Sequence, residues 1–307
     1  MTPSVAVDVH GEDAQRWRAA LRAALPDAQV VDEPAGTVDY LVAWRPQPHT
    51  FERTRIRKAI FNLGAGVDAL LDVPALPPDV PIYRLTDAGM AIQMAEIAVA
   101  AVLYAYRDLD AYAAAQAATV WQPRARRDKA TFGVGVLGVG VLGRAVLEAL
   151  RPFGFPLHAY ARTAHACDGV RTYAGPQGLR QFLGQCAVCI CLLPSTPATR
   201  DLLDATRLAW LPRGAHLVNL ARGELVVDAD LLDALDRGHL ASATLDVFRT
   251  EPLPPSHPFW HHRGVRMTPH VAAVTQVDAS AAHVASGIRA LEAGREPPGR
   301  VDRARGY

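Results

Sequence analysis

The sequence predicts an α/β fold made of two doubly wound parallel-sheet domains with a cleft between them. Strand patterns alternate with helical patterns along most of the 307 residues, which is typical of parallel sheets. A glycine-rich turn of the dinucleotide-binding type begins at residue 138, after about 130 residues, and one further helical pattern follows the last strand. The two chain ends must therefore form another domain. We expect residues 1–90 and 274–307 to form one domain, and residues 91–273 the other.

Each element is predicted from its apolar period. In the first part, strands are expected at 5–9, 38–44 and 59–63, with a helix over 13–24. From residue 92, apolar residues recur at spacings of three or four, which predicts a long helix before an alanine- and arginine-rich stretch at 110–130. The remaining strands are expected at 131–137, 156–160, 187–193, 215–220, 241–247 and 266–268, with helices that include 143–150, 228–237 and 276–293.

Composition and charge exclude several classes of protein. Half of the residues are hydrophobic, 21% are charged and the net charge is +1, so a disordered or fibrous chain is not indicated. The arginines are dispersed and balanced by acids, which argues against a nucleic-acid partner. No apolar run is long enough to span a bilayer, and the N-terminus lacks the pattern of a signal peptide. We expect a cytoplasmic protein with no membrane partner.

No metal site is expected. Cys186, Cys189 and Cys191 fall in one predicted strand, where Cys186 would face the side opposite to the other two. They are interpreted as small buried hydrophobic residues. His257 and the pair His261 and His262 are interpreted as residues of a proline-rich surface loop.

The sharpest local motif is Gly138-Val-Gly-Val-Leu-Gly143. It follows a strand and opens a helix, the context that a dinucleotide-binding fingerprint requires. Gly138 permits the tight turn, Gly140 lets the backbone approach a pyrophosphate, and Gly143 lets helix and strand pack closely. The helix N-terminus, with Val141 and Leu142, would supply free N–H groups to the anion.

Three polar residues follow three successive strands of this second sheet: Arg222, Glu251 and His270. Sites in open parallel sheets form at the carboxyl ends of strands. A guanidinium can bind a 2-keto acid's carboxylate and polarise its carbonyl, and an imidazole can donate a proton to the new alkoxide. A carboxylate beside the imidazole would fix its tautomer and keep it protonated near neutrality. Neither lysine has a tyrosine four residues before it, so short-chain reductase chemistry is excluded.

Over essentially its whole length the chain resembles the D-isomer-specific 2-hydroxyacid dehydrogenases, most closely the glyoxylate/hydroxypyruvate reductase A type. The resemblance rests on a set of motifs that includes the fingerprint and the catalytic triplet. The others are Asn62-Leu-Gly-Ala-Gly-Val-Asp68, Met94-Ala-Glu96, Leu193-Pro194, Asn219-Leu-Ala-Arg-Gly223, Leu245-Asp-Val247, Glu251-Pro252, Thr268-Pro-His-Val-Ala-Ala273 and Val301-Asp-Arg-Ala-Arg-Gly-Tyr307.

This resemblance implies a Rossmann cofactor domain, a flavodoxin-like substrate domain, and Arg222, Glu251 and His270 as the catalytic set. It implies a homodimer in which residues 107–130 form an arm, so that Trp121 would reach the partner subunit; a plain surface excursion is the alternative. The remaining implied contacts are the amides of Gly64, Ala65 and Gly66 with the substrate carboxylate, Leu193 and Pro194 with the nicotinamide, Asp246 with its carboxamide, and Trp44 with the substrate or, alternatively, with the core.

One departure from the family pattern concerns the cofactor. NAD-dependent members carry an acidic residue at the end of the second strand after the fingerprint, whereas this chain has Ala161, Arg162 and Thr163, with His165 close behind. Arg162 can offer a planar fork to a 2′-phosphate, and Thr163 a hydroxyl. NADPH is therefore expected to be preferred over NADH.

Three functions remain open at this point. The leading hypothesis is an enzyme that reduces glyoxylate and hydroxypyruvate to glycolate and D-glycerate. A second keeps the mechanism but takes a bulkier 2-keto acid such as phenylpyruvate. A third is a non-catalytic nucleotide-sensing protein of the same fold, against which the presence of arginine, glutamate and histidine together argues.

Overall fold

The computed structural model of the chain describes residues 2–10, 14–163 and 167–307. They form two compact units, of which unit 1 is Met1–Met90 with Val274–Tyr307 and unit 2 is Ala91–Ala273. The predicted helix start at Asp13, and His165 near the expected cofactor site, lie outside the described residues.

Unit 1 contains a five-stranded sheet in which every pair of neighbours is parallel. Its order, β2-β1-β3-β4-β5, is the doubly wound order of flavodoxin-like folds. Helix α1 packs against the last helix of the chain, α10. The strands are β1 (Ser4–Asp8), β2 (Gln29–Val31), β3 (Gly36–Ala43), β4 (Thr54–Asn62) and β5 (Ile82–Arg84), and the helices α1 (Ala14–Ala24), α2 (Pro48–Arg53), α3 (Asp68–Leu71) and α10 (Val277–Glu292).

Unit 2 contains a seven-stranded parallel sheet of order β12-β11-β10-β9-β6-β7-β8, the Rossmann order with an added edge strand. The prediction of two doubly wound parallel sheets is confirmed. The strands are β6 (Val134–Leu137), β7 (Leu157–Ala161), β8 (Val170–Ala174), β9 (Val188–Cys191), β10 (Ala215–Asn219), β11 (Leu240–Leu245) and β12 (Val265–Met267). The helices are α4 (Met90–Tyr106), α5 (Leu109–Ala117), α6 (Val141–Leu150), α7 (Gly175–Leu183), α8 (Ala205–Leu208) and α9 (Asp228–Asp236).

Three strands, β2, β5 and β8, were not expected from the sequence. All three lie at sheet edges and have three to five residues. Strands β2 and β8 are partly exposed, so they need little apolar sequence, whereas the buried β5 is too short to show an apolar period.

The interpretation of the cysteines needs one correction. Cys189 and Cys191 lie in β9, but Cys186 lies before that strand, where its thiol donates to the carbonyl oxygen of Phe182 at 3.1 Å. All three belong to the same buried apolar cluster. The prediction that Cys186 faces the opposite side was wrong, because strand alternation does not extend to a residue in the preceding turn. Burial raises the pKa of Cys191 to about 12.

The histidines of the proline-rich loop each have a separate neighbour. His257 lies 3.4 Å from Asp228 and packs on the ring of Phe259, and His262 lies 3.3 Å from Asp236. Within the part of the chain that the structure describes, no three His, Cys, Asp or Glu side chains come together as metal ligands.

The stretch after α4 is exposed. Helix α5 has no buried residue, and the Trp121 side chain is 97% exposed. Among the described helices, none alone is long and apolar enough to cross a membrane; α4 and α5 reach that length and composition only together, with a 64° bend between them.

Candidate active site

The glycines of the fingerprint occupy the turn between β6 and α6, and two of them are required by the protein itself. Gly138 has a φ of +114°, and a Cβ there would lie 2.8 Å from the carbonyl oxygen of Leu192. A Cβ on Gly143 would lie 1.9 Å from the carbonyl oxygen of Gly138. The chain can therefore close this turn only with glycine at both positions.

Gly140 is different. A Cβ on this residue would meet no atom within 4 Å, and its φ of −77° suits any amino acid. Gly140 is the N-cap of α6, so the turn ends in open space at the positive end of a helix. In the described part of the chain, the amides of Val141 and Leu142, in the first turn of α6, donate to no protein acceptor. This arrangement can accept an anion that approaches the backbone closely.

Four other predicted cofactor residues follow the two strands that flank β6 in the sheet. Arg162 and Thr163 come directly after β7 and are exposed. Leu193 and Pro194 lie in the loop after β9, where the Leu193 amide nitrogen is 3.2 Å from the Cβ position of Gly138. Thr199 donates its hydroxyl to the carbonyl oxygen of Pro194 at 2.6 Å, which holds that loop.

Arg222 follows β10 in a tightly bonded turn. The side-chain amide of Asn219 donates to the carbonyl oxygen of Arg222 at 2.9 Å, and its carbonyl accepts from the Ala221 amide at 3.2 Å. Arg222 itself is half-buried, and one guanidinium nitrogen, Nη1, donates to the carbonyl oxygen of Ala221 at 2.7 Å. Strand β10 thus presents a held guanidinium at its carboxyl end.

Glu251 and His270 are in contact. Nδ1 of His270 lies 2.7 Å from Oε2 of Glu251, and Oε1 of Glu251 accepts from the Phe248 amide at 3.0 Å. An ionised carboxylate only accepts hydrogen bonds, so Nδ1 carries the proton in this pair. The imidazole is 39% exposed, and its second nitrogen, Nε2, is the atom that can exchange a proton with a bound molecule.

Asp246 holds the turn that carries His270. Its buried carboxylate accepts from the hydroxyl of Thr268 at 2.6 Å and from the amides of Val271 and Ala272 at 2.9 Å. The carbonyl oxygen of Asp246 also accepts from the His270 amide at 2.7 Å, although His270 has a φ of +56°. Four bonds to one residue stabilise this left-handed backbone.

In unit 1, the turn 64–66 follows β4 and is braced from inside. The side-chain amide of Asn62 donates to the carbonyl oxygens of Gly64 and Gly66, at 3.1 and 2.9 Å. The carbonyls of Gly64 and Gly66 thus face Asn62. In the described ranges, the backbone amides of Gly64, Ala65 and Gly66 have no protein acceptor. Successive amides without an acceptor can bind an anion.

Trp44 lies at the end of β3 against this turn. A Cβ on Gly64 would come within 2.4 Å of the indole ring, so only glycine fits beneath it. The Trp44 side chain is 38% exposed, and the guanidinium of Arg45 lies 5.6 Å from the ring centroid. Trp44 is therefore not a core residue, which was the alternative interpretation.

The family model for the D-isomer specific 2-hydroxyacid dehydrogenase NAD-binding domain matches residues 99–272, more than half of the chain. That range contains the fingerprint turn, Arg222, Glu251 and His270. The chain belongs to the D-isomer specific 2-hydroxyacid dehydrogenase family. The resemblance seen in the sequence is thereby confirmed, and with it the prediction of a nicotinamide-dependent oxidoreductase.

Solved members of the 2-hydroxyacid dehydrogenase family are similar over the entire chain. A member from Xanthobacter autotrophicus Py2, in complex with NADPH and MES, is 38% identical with a TM-score of 0.94, and all of both chains is covered. An NADPH-dependent glyoxylate/hydroxypyruvate reductase from Sinorhizobium meliloti, in complex with NADP and sulfate, is 35% identical with a TM-score of 0.93 over all of both chains. A probable 2-hydroxyacid dehydrogenase from Rhizobium etli CFN 42, in complex with NADP, HEPES and L(+)-tartaric acid, is 30% identical with a TM-score of 0.90, again over all of both chains.

Two residues of this 2-hydroxyacid dehydrogenase were not selected from the sequence. A Cβ on Gly223 would lie 2.0 Å from the carbonyl carbon of Phe248, so this glycine lets the Arg222 turn pack on the loop that carries Glu251. Arg84, at the end of β5, lies beside the turn 64–66. Gly223 is part of the Asn219–Gly223 motif, but its contact is with Phe248, 25 positions later in the chain. Arg84 ends β5, a strand that is too short to be predicted from the sequence.

Proposed function

We propose that the chain reduces glyoxylate and hydroxypyruvate to glycolate and D-glycerate, with NADPH as the preferred hydride donor. The observation that carries this proposal is the contact between Glu251 and His270 at 2.7 Å in a unit that a nucleotide-binding family model matches. The similarity to a glyoxylate/hydroxypyruvate reductase crystallised with NADP supports both the substrate class and the cofactor.

The fingerprint turn fits the cofactor. The protein leaves open space at Gly140 although its own packing does not require glycine there, and two amides point from the first turn of α6. Gly138, Gly140, Gly143, Val141 and Leu142 would hold the pyrophosphate. Arg162 and Thr163 would bind the 2′-phosphate. The nicotinamide end would contact Leu193, Pro194 and Asp246. When bound, the nicotinamide supplies the hydride for the keto carbon.

The residues of unit 2 supply the rest of the chemistry. The guanidinium of Arg222 binds the keto acid and polarises its carbonyl, so that negative charge can develop on the oxygen. His270 donates the proton on Nε2 to that oxygen, which becomes the hydroxyl of the product. Glu251 holds Nδ1 protonated and stabilises the imidazolium that donates. One hydride and one proton are added, and His270 takes a proton from water before the next turnover.

The residues of unit 1 are proposed to bind the substrate. The amides of Gly64, Ala65 and Gly66 donate hydrogen bonds to the carboxylate, and the half-exposed indole of Trp44 limits the acyl group that fits beside it. A bulkier substrate such as phenylpyruvate would have to be placed next to this ring.

A substrate panel tests the proposal. NADPH oxidation would be followed at the nicotinamide absorbance band with glyoxylate, hydroxypyruvate, pyruvate and phenylpyruvate, for the parent chain and for His270→Ala. We expect the first two substrates to give the highest kcat/KM, and the variant to lose ~10²–10⁴-fold in kcat. Binding of NADPH without oxidation in any mixture would instead identify a nucleotide-sensing protein, and a higher kcat/KM with phenylpyruvate would identify the bulkier-substrate enzyme.

The cytoplasmic location and the homodimer remain predictions. For the homodimer, the support is a group of exposed large apolar side chains in and after α5, since grouped exposed apolar residues mark interaction surfaces. They are Leu109, Tyr112, Val120 and Trp121. Light scattering of the parent and of Trp121→Asp would test it: a dimer that the substitution dissociates is expected, and a monomeric parent would contradict it.

A further inference from the structure

Arg84 is a half-buried cation without a counterion. Its side chain reaches from the end of β5 toward the turn 64–66, where Nη1 lies 3.4 Å from the carbonyl oxygen of Ala65. That distance is at the long limit of a hydrogen bond. No carboxylate in the described ranges lies within ion-pair distance of this guanidinium. Burial lowers the pKa of Arg84 from its ordinary value, and no nearby acid opposes that effect.

The position of Arg84 is fixed through its backbone. Strand β5 pairs with β4, which places Arg84 beside Asn62, the residue that braces the turn. On its other side, the Arg84 amide donates to the carbonyl oxygen of Gly299 at 2.9 Å, and a Cβ on Gly299 would lie 2.4 Å from the Arg84 carbonyl oxygen. The backbone of Arg84 at the end of β5 is thus held firmly, although its guanidinium has only one long hydrogen bond within the described part of the protein.

An unneutralised charge that is partly removed from water destabilises a fold, unless a ligand supplies the opposite charge. The amides of Gly64, Ala65 and Gly66 lie next to this guanidinium and also lack an acceptor. All of these groups are donors, and one planar anion with two oxygens can accept hydrogen bonds from several of them at once. A carboxylate has that geometry, and a guanidinium binds it with two parallel hydrogen bonds.

We propose that Arg84 and the amides of the turn 64–66 form one carboxylate-binding site, in which Arg84 neutralises the charge of the 2-keto acid. The proposal rests on the proposed function for the identity of the substrate. It assigns recognition of the carboxylate charge to unit 1, and so leaves Arg222 to act on the carbonyl. Arg84 is then a determinant of specificity for keto acids over uncharged ketones.

Binding of oxalate tests the site without turnover. Thermal unfolding and calorimetry would be compared for the parent chain, Arg84→Met and Arg300→Met, the last removing an exposed arginine of unit 1 that pairs with Glu296. We expect Arg84→Met to unfold at the same temperature as the parent or higher, because it removes a costly buried charge. We expect oxalate to bind this variant about 10- to 100-fold more weakly than the parent or Arg300→Met.

A merely structural Arg84 would give the opposite pattern, with a lower unfolding temperature and unchanged oxalate affinity. If Arg84→Met does not fold, Arg84→Gln keeps a donor to the Ala65 carbonyl and loses only the charge. A further readout is the ratio of kcat/KM for glyoxylate to that for methylglyoxal, which lacks a carboxylate. The ratio should fall in the Arg84 variants, mainly through KM for glyoxylate.

The two proposals fail in different ways. Oxalate binding that depends on Arg84 in a chain that reduces no keto acid would contradict the proposed function and keep the anion site. Reduction of glyoxylate with oxalate affinity unchanged in Arg84→Met would keep the function and overturn the site.

Discussion

His270 and Glu251 meet through Nδ1 and Oε2 at 2.7 Å, although 19 positions separate them in the chain. Each residue makes a second hydrogen bond: Oε1 of Glu251 accepts from the Phe248 amide, and the His270 amide donates to the carbonyl oxygen of Asp246. The contact therefore orients the imidazole and commits one of its nitrogens, which leaves the other for proton transfer.

The first prediction concerns this pair. Glu251→Gln should lower kcat/KM for glyoxylate by about 10- to 100-fold, because the imidazolium loses its charged hydrogen bond to the carboxylate. The measurement is kcat/KM for glyoxylate across pH, with Glu148→Gln on the exposed face of α6 as the control. A profile that coincides with that of the parent would contradict the proposed pair.

Arg222→Lys should reduce kcat/KM by about 10- to 100-fold even though the charge is retained. A lysine ammonium lacks the planar fork with which the guanidinium would hold the keto acid and polarise its carbonyl. Arg207→Lys, in an ion pair with Asp204 at the surface of unit 2, should retain parental kinetics. Equal kinetics for Arg222→Lys and Arg207→Lys would exclude a bidentate role for Arg222.

Two alanine substitutions in the fingerprint should separate folding from cofactor binding. Gly140→Ala places its methyl group in open space, so its unfolding temperature should match that of the parent while NADPH binds at least about tenfold more weakly. Gly143→Ala places a methyl group 1.9 Å from a carbonyl oxygen and should destabilise the fold itself. Unimpaired NADPH binding by Gly140→Ala would show that no ligand approaches this backbone.

The cofactor preference should depend on Arg162. The parent should use NADPH with a specificity constant at least roughly tenfold above that for NADH, since a charged hydrogen bond to the 2′-phosphate is worth ~1.5–3 kcal/mol. Arg162→Ala should remove most of this difference, and Arg237→Ala, an exposed arginine on α9, should not. Equal specificity constants in the parent would overturn the preference.

We expect the stability of the fold to depend on pH through the buried imidazole of His216. This residue of β10 is 5% exposed, and Nδ1 lies 2.8 Å from the hydroxyl oxygen of Ser242. Burial, with smaller contributions from Arg127 and Arg266, lowers the pKa of His216 to about 4 from 6.5. The folded imidazole therefore stays neutral while the unfolded one takes a proton, so stability is lost as the pH falls from 6.5 to about 4.

The loss should be on the order of 3 kcal/mol, from a difference of about 2.5 pKa units at 1.36 kcal/mol each. Urea unfolding at pH 7 and pH 4.5 would be compared for the parent and for His216→Asn, which can still bond Ser242. The variant should be less stable at pH 7 but lose less on acidification. The same pH dependence in both chains would show that His216 does not titrate in this way.

The sequence by itself determined the fold class and the two-sheet organisation, because buried parallel strands and amphipathic helices follow local periodicity. It also determined the fingerprint turn, since the positive φ of Gly138 and the contact of Gly143 with the Gly138 carbonyl oxygen both belong to one short motif. Arg222, Glu251 and His270 could be selected because each one comes after a strand that the sequence predicts. The edge strands β2, β5 and β8 could not, since β2 and β8 are partly exposed and β5, although buried, has only three residues.

Only the tertiary structure decided the contacts that connect distant segments. It brought Glu251 to His270, placed Gly223 against the backbone of Phe248, and put all three clustered cysteines on one side of the sheet. It also showed that Arg84 reaches the turn 64–66 across two neighbouring strands. Such contacts depend on which strand ends become neighbours when the sheet forms, and the spacing of residues along the chain carries no record of that arrangement.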